Sequence, residues 1–239
     1  MRKKFQYSWH DIMFENFIDV SHDKIADTNF YDNFYLEFFK KYHSYSDIPD
    51  DYISKKMVVV KYLKPKIRTR NSVLSIGCGI GLIEKLLVEN LDIQTKITAV
   101  EPSKSAIKLI KNETRINVYN GFFPSVFDKI SPQFDFAYAR AIEYIFDQDE
   151  YVKFLKSILD YGINEFSIIS VSIQRTTISD VLKEVIKTFL NRLNLYKRGQ
   201  LWGFVRTEYD HREAFLRAGF KTVNFEKLDY STIVITGKV

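Results

Sequence analysis

Cysteine is nearly absent: Cys78 is the only one in 239 residues. An internal disulfide is therefore excluded, and the composition fits a reducing compartment. No apolar run approaches the roughly 20 residues that a membrane-spanning helix needs. Residues 1–10 are basic but lack the apolar core of a signal peptide. A soluble, cytoplasmic protein is expected. Strong charge of one sign is lacking too. The net charge is +5, and without a clustered basic patch that is not the footprint of a nucleic-acid binder. No group of His, Cys, Asp and Glu has the spacing of a metal site, so no metal is expected.

The length suits one domain with elaborations and a well-filled core. The chain is organised around residues 72–102. Residues 73–76 are a short apolar run, read as a buried strand. Gly77, Gly79 and Gly81 follow at alternate positions. Ile80, Ile83, Leu86 and Leu87 then share one face of a helix over 80–90. A second strand over 97–100 ends in Glu101. Strand, glycine loop, helix, strand and acid make one half of a nucleotide-binding sheet. A loop that turns at once from strand to helix needs torsions that side chains resist, and glycine lets backbone approach a ligand. A strand-tip glutamate can accept two hydrogen bonds from a ribose diol.

Two absences narrow the ligand. The dinucleotide fingerprint is G-x-G-x-x-G, but this loop reads G-x-G-x-G, with Leu82 where the third glycine would stand. That counts against NAD or FAD. No Gly-Lys-Ser/Thr follows, so it is no P-loop. The pattern resembles motifs I and II of the class I S-adenosylmethionine-dependent methyltransferases, small-molecule type. The resemblance implies that Gly77, Gly79 and Gly81 face the methionine half of S-adenosyl-L-methionine. It places Glu101, followed by Pro102, on the ribose. The family usually carries an acid at the position of Ser75, and Gly-Asp where this chain has Gly121-Phe122. Asn120 and Phe122 are therefore the candidates on the adenine side. After a strand over 134–138, Arg140 is a candidate partner of the cofactor carboxylate or of an acidic acceptor. Glu143-Tyr144 stands where the family often has Glu-His.

The resemblance extends from residue 71 to 239. A helix is expected over 103–111, with Ser103 and Ser105 at its start, and another over 149–159. A fifth strand falls within 165–173. A helix over 207–218 ends at Gly219-Phe220, and His211 within it is expected at the surface. Strands over 221–227 and 232–238 are joined by only four residues, so they form an antiparallel hairpin. The fold class is α/β: a Rossmann-like class I methyltransferase with a mostly parallel seven-stranded sheet ending in that hairpin. An amphipathic stretch over 179–195 is read as a helical insertion near 175–200, able to close over the acceptor or to build a homodimer.

Residues 1–70 are read as an aromatic-rich helical cap, separate from a methyltransferase domain over 71–239. Fifteen aromatic residues fall in the first 62. Tyr31, Phe34, Tyr35, Phe38, Phe39 and Tyr42 recur at helical spacing. Further helices are expected over 12–20 and 51–63, then a linker over 64–71. Such a cap either covers the sheet edge or acts as a lid, with aromatic faces toward a sulfonium cation and water kept out.

Methyl transfer needs the nucleophile held in line, and a base where the acceptor is a hydroxyl. His10 and His43, both in the cap, and Tyr144 are the candidates. The expected function is S-adenosylmethionine-dependent methylation of a small-molecule acceptor, such as a hydroxyl of a sugar or another biosynthetic intermediate. RNA or protein methylation, prompted by Arg2-Lys3-Lys4 and the basic stretch 64–70, is one alternative, though no Asn-Pro-Pro-Tyr motif is present. A non-catalytic cofactor-binding partner subunit is another.

Overall fold

In the computed structural model the chain opens with strands. β1 (Arg2–Gln6) is followed by β2 (Ser8–Trp9) and β3 (Ile12–Met13), which pair as a small antiparallel hairpin. The helix expected over 12–20 is only a 3-10 turn, Phe14–Asn16. α1 (Thr28–Lys41) and α2 (Asp50–Ile67) follow. α1 starts where Asp27 accepts a hydrogen bond from the Phe30 N–H at 2.9 Å, a side-chain cap for an otherwise orphan donor. α2 runs through Pro65 into the expected linker. Burial of Leu63 and Ile67 outweighs the one backbone bond that proline removes.

β4 (Ser72–Ile76), α3 (Leu82–Asn90), β5 (Lys96–Glu101) and β6 (Ile116–Asn120) form one half of the sheet unit. β7 (Phe136–Arg140), α4 (Gln148–Asp160) and β8 (Glu165–Ser170) form the other. β9 (Gln200–Val205), α5 (Glu208–Ala218), β10 (Thr222–Lys227) and β11 (Ile233–Lys238) complete the elements. The described residues are 2–90, 95–127, 133–170, 182–183, 185–187, 189–190, 199–230 and 232–239. The insertion expected near 175–200 therefore lies largely outside them. Among the described residues no helix is long and apolar enough to cross a membrane.

The central sheet has the order β10-β11-β8-β7-β4-β5-β6. β4 pairs in parallel with β5 and β7, and the parallel run extends to β6 and β8. β11 enters antiparallel to β8, and β10 is antiparallel to β11. This is the seven-stranded, mostly parallel sheet with an antiparallel end that the sequence predicts. The order reverses between β4 and β7, the switch point where open α/β sheets bind ligands.

Two cores cover the sheet faces. Leu155, Ile158 and Phe215 of α4 and α5 pack on one, with Ala137 and Phe166. Leu63, Ile67 and Leu87 of α2 and α3 pack on the other, with Val73 and Ile97. The 103–111 segment forms two 3-10 turns, Ala106–Lys108 and Ile110–Asn112, rather than an α-helix. Residues three apart eclipse in such turns, so Ile107 and Ile110 both face inward and are fully buried. His211 departs from its expected surface position. It is 1% exposed, and its Nδ1 lies 3.1 Å from the Tyr151 hydroxyl. Burial, then the nearby Arg206, hold its pKa down to about 3.

A third core is the cap. Phe14, Phe30, Phe34 and Phe38 are each at most 2% exposed and share one cluster with Trp202 of β9, which Phe14 and Phe30 touch directly. Fully burying each such ring contributes about 1.5–3 kcal/mol. β1 pairs antiparallel with β9, so the start of the chain is stitched to a strand near its end.

Candidate active site

The glycine turn after β4 has positive φ at Gly77, Gly79 and Gly81, of 70°, 58° and 72°. Side chains resist those values. A Cβ on Gly79 would meet the Tyr35 hydroxyl of the cap at 2.9 Å, and one on Gly81 would overlap Ile110. The turn is thus a bare backbone cradle between sheet and cap. The Tyr45 hydroxyl donates to the Ile80 carbonyl at 2.5 Å and ties the cap to it.

Glu101 closes the cradle from the tip of β5. Its carboxylate accepts from the Gly79 N–H and the Ser103 N–H, each at 2.9 Å. Burial pushes its pKa up to about 7, opposed by those two backbone donors. Asp32 of α1 accepts from the Ser103 hydroxyl at 2.6 Å and from the Ser105 N–H at 3.1 Å. The cap is therefore bonded to the segment that positions Glu101.

Glycine turn, strand ends and cap line a cavity of about 720 Å³, within the range of small-molecule sites. Gly77, Gly79, Glu101, Pro102, Phe122 and Arg140 all line it. Asn120 does not; its side-chain amide donates to the carbonyls of Glu101 and Pro102, both at 2.9 Å. Gly81 lies one turn behind, with its N–H bonded to the Cys78 carbonyl at 3.0 Å. Burial pushes the Cys78 thiol well up, so no thiolate forms there.

His10 and Tyr144 line the cavity as well. His10 and Asp11, both at positive φ, form the two-residue turn between β2 and β3, the conformation that tight hairpins demand. The turn sets the imidazole against Tyr52, ring centres 4.5 Å apart. Burial, then Lys56, push His10 down to about 4, so it is neutral at physiological pH. His43 is exposed and outside the cavity; its N–H donates to Asp47 at 2.8 Å. Tyr144 and Tyr31 place their hydroxyls 3.1 Å apart. Burial raises both phenols, which stay protonated.

Two wall residues escaped the sequence reading. Glu84 of α3 is 1% exposed and Lys56 of α2 is 7% exposed. Each has a sequence signal, because each lies on the apolar stripe of its helix. Glu84 follows Ile80 by four positions, and Lys56 precedes Val59 and Val60 by three and four. A charge in that register is buried and needs a partner.

The backbone cradle, the strand-tip carboxylate and the cavity beside them fit a nucleoside-bearing ligand. Comparison with solved structures finds the same fold at low identity. Human N-acetylserotonin methyltransferase, in complex with SAM, has a TM-score of 0.57 and 14% identity over 89% of this chain. This chain spans only 56% of that enzyme. The DhpI–SAH complex has a TM-score of 0.59 and 13% identity, covering 89% of this chain and 95% of that one. Magnesium protoporphyrin IX methyltransferase from Synechocystis PCC 6803, with bound SAH, has a TM-score of 0.60 and 10% identity, covering 88% and 97%. Comparison with curated proteins finds no match. The family model described as "Methyltransferase domain" matches residues 52–229. The chain belongs to that methyltransferase family, and its fold is the S-adenosylmethionine-dependent class I type.

Proposed function

We propose that this chain transfers a methyl group from S-adenosylmethionine to a hydroxyl of a small molecule seated beneath the aromatic cap. The observation that carries the reading is the pairing of the glycine turn, through the Gly79 N–H, with the Glu101 carboxylate beside an aromatic-lined cavity. When bound, S-adenosylmethionine supplies a methyl group already activated by its sulfonium charge. The chain's own work is then placement and proton handling. Glu101, once ionised, accepts hydrogen bonds from the ribose diol. Phe122 and Pro102 flank the adenine side. Tyr31, Tyr35 and Tyr144 remain neutral and offer ring faces, which suit a sulfonium cation.

The acceptor occupies the cap side of the cavity. His10, neutral there, accepts the hydroxyl proton on an imidazole nitrogen as the oxygen–methyl bond forms. The aromatic lining and a volume of about 720 Å³ suit a small-molecule acceptor. The test supplies the purified chain with methyl-labelled S-adenosylmethionine and separate pools of hydroxyl-bearing metabolites, RNA and protein. Label is expected in a small molecule, with His10→Gln slowing its appearance. Label in RNA or protein alone overturns the reading.

A further inference from the structure

β8 ends at Ser170 and β9 begins at Gln200. Of the stretch between them, residues 182–183, 185–187 and 189–190 are described and helical. Leu182, Val185, Ile186 and Phe189 stand at i, i+3, i+4 and i+7, which is one face of a helix. That spacing suits packing against a core, yet each of the four is 49–61% exposed. Phe30, Phe34 and Phe38, on the apolar face of α1, are by contrast at most 2% exposed. None of the four lines the methyl-donor cavity. A contiguous apolar face left in water marks an interaction site.

Charge narrows the occupant. Between positions 171 and 199 the sequence holds six lysines and arginines against two acids, Asp180 and Glu184. Four of the chain's five net positive charges therefore fall in this one stretch. Lys183, next to Leu182, is exposed. A second copy would set positive charge against positive charge. A nucleic acid would press four apolar side chains against sugar and phosphate. An acidic protein groove closes around its target helix, and this helix is held at both ends by strands. A bilayer with anionic headgroups needs only one face of the helix. It offers an apolar boundary for the four side chains and negative charge for the lysines.

We propose that the face formed by Leu182, Val185, Ile186 and Phe189 docks this protein on an anionic membrane surface. The four apolar side chains enter the boundary between headgroups and acyl chains, and Lys183 beside them meets the lipid phosphates. The helix lies on the bilayer and does not cross it. The stretch leaves the sheet just beyond Ile169, which pairs with the cavity-lining Arg140. Docking would thus act on the end of the sheet that carries the cavity. The proposal does not depend on the identity of the methyl acceptor.

The experiment is co-sedimentation of the purified full chain with two kinds of vesicle. One is phosphatidylcholine alone; the other is phosphatidylcholine mixed equally with phosphatidylglycerol. The anionic vesicles are expected to retain the chain at least about tenfold more strongly, and added salt should weaken that retention. Phe189→Asp changes a side chain that is exposed in the free chain. It should leave the melting temperature unchanged and weaken anionic retention about tenfold or more. Phe189→Leu should hold within about threefold of the parent. Lys183→Glu is the second variant, and should weaken retention by anionic vesicles alone, by about threefold or more. No retention by either vesicle, equal retention by both, or retention that Phe189→Asp leaves intact overturns the proposal. A dimer in sedimentation velocity that Phe189→Asp abolishes, from a chain that vesicles do not retain, overturns it in favour of a second copy.

Discussion

Replacing Glu101 by glutamine removes a charge that the fold holds unfavourably, and the consequence can be sized. The ordinary pKa of the group is 4.5, and burial raises it to about 7 in the fold. Between those values the native state binds more protons than the unfolded chain. The stability contributed by protonated Glu101 is therefore complete below 4.5 and is lost as pH rises through 7. Linkage across these values makes the loss between pH 5 and pH 8 about 2.5 kcal/mol. Glutamine has no such step. It retains one acceptor oxygen for the N–H groups of Gly79 and Ser103, and losing the other costs about 1–3 kcal/mol. That cost is nearly pH-independent and drops out when parent and variant are compared at two pH values. Urea unfolding of both chains at pH 5 and pH 8 reads the difference. Glu101→Gln should gain about 2.5 kcal/mol on the parent between the two conditions. A gap that stays constant within about 0.5 kcal/mol refutes the claim that burial governs this carboxylate.

Gly81→Ala places a Cβ at φ 72° and against Ile110. Backbone strain and overpacking together should lower stability by about 3 kcal/mol, read as a shifted urea midpoint with unchanged slope. Arg206, 2% exposed, donates to the carbonyls of Glu143, Phe146 and Asp147 at 2.6, 2.7 and 2.8 Å, and to Gln148 Oε1 at 3.0 Å. Arg206→Lys cannot span that fork, so a loss of about 3 kcal/mol is expected by the same measurement.

The sheet was legible because its signals are local. The run from β4 to Glu101 and the four-residue hairpin connection each sit within a short stretch of sequence. The N-terminal strands were not legible, because β1 owes its form to a partner almost 200 residues away. Leu201 pairs with Phe5, and Gly203 with Lys4; no local periodicity encodes that. His211 was misplaced because its neighbour Arg212 reads as surface, while α5 turns the imidazole toward Tyr151. At the site, the glycines and Glu101 announce themselves by spacing. Glu84 and Lys56 show only as single charges on apolar stripes, and for Glu84 that signal gains meaning when two other elements bring Ser75 and Tyr138 beside it. Asn120 shows the converse: its position at a strand end pointed toward a ligand, while its amide spends both donor bonds on the backbone beside Glu101.

The central claim, that the cradle from Gly77 to Glu101 holds a methyl donor, is tested most directly by calorimetric titration of the purified chain with S-adenosylmethionine. A single saturable site is predicted, with Glu101→Ala weakening it. Absence of binding at millimolar ligand, in a chain that melts cooperatively, would contradict it.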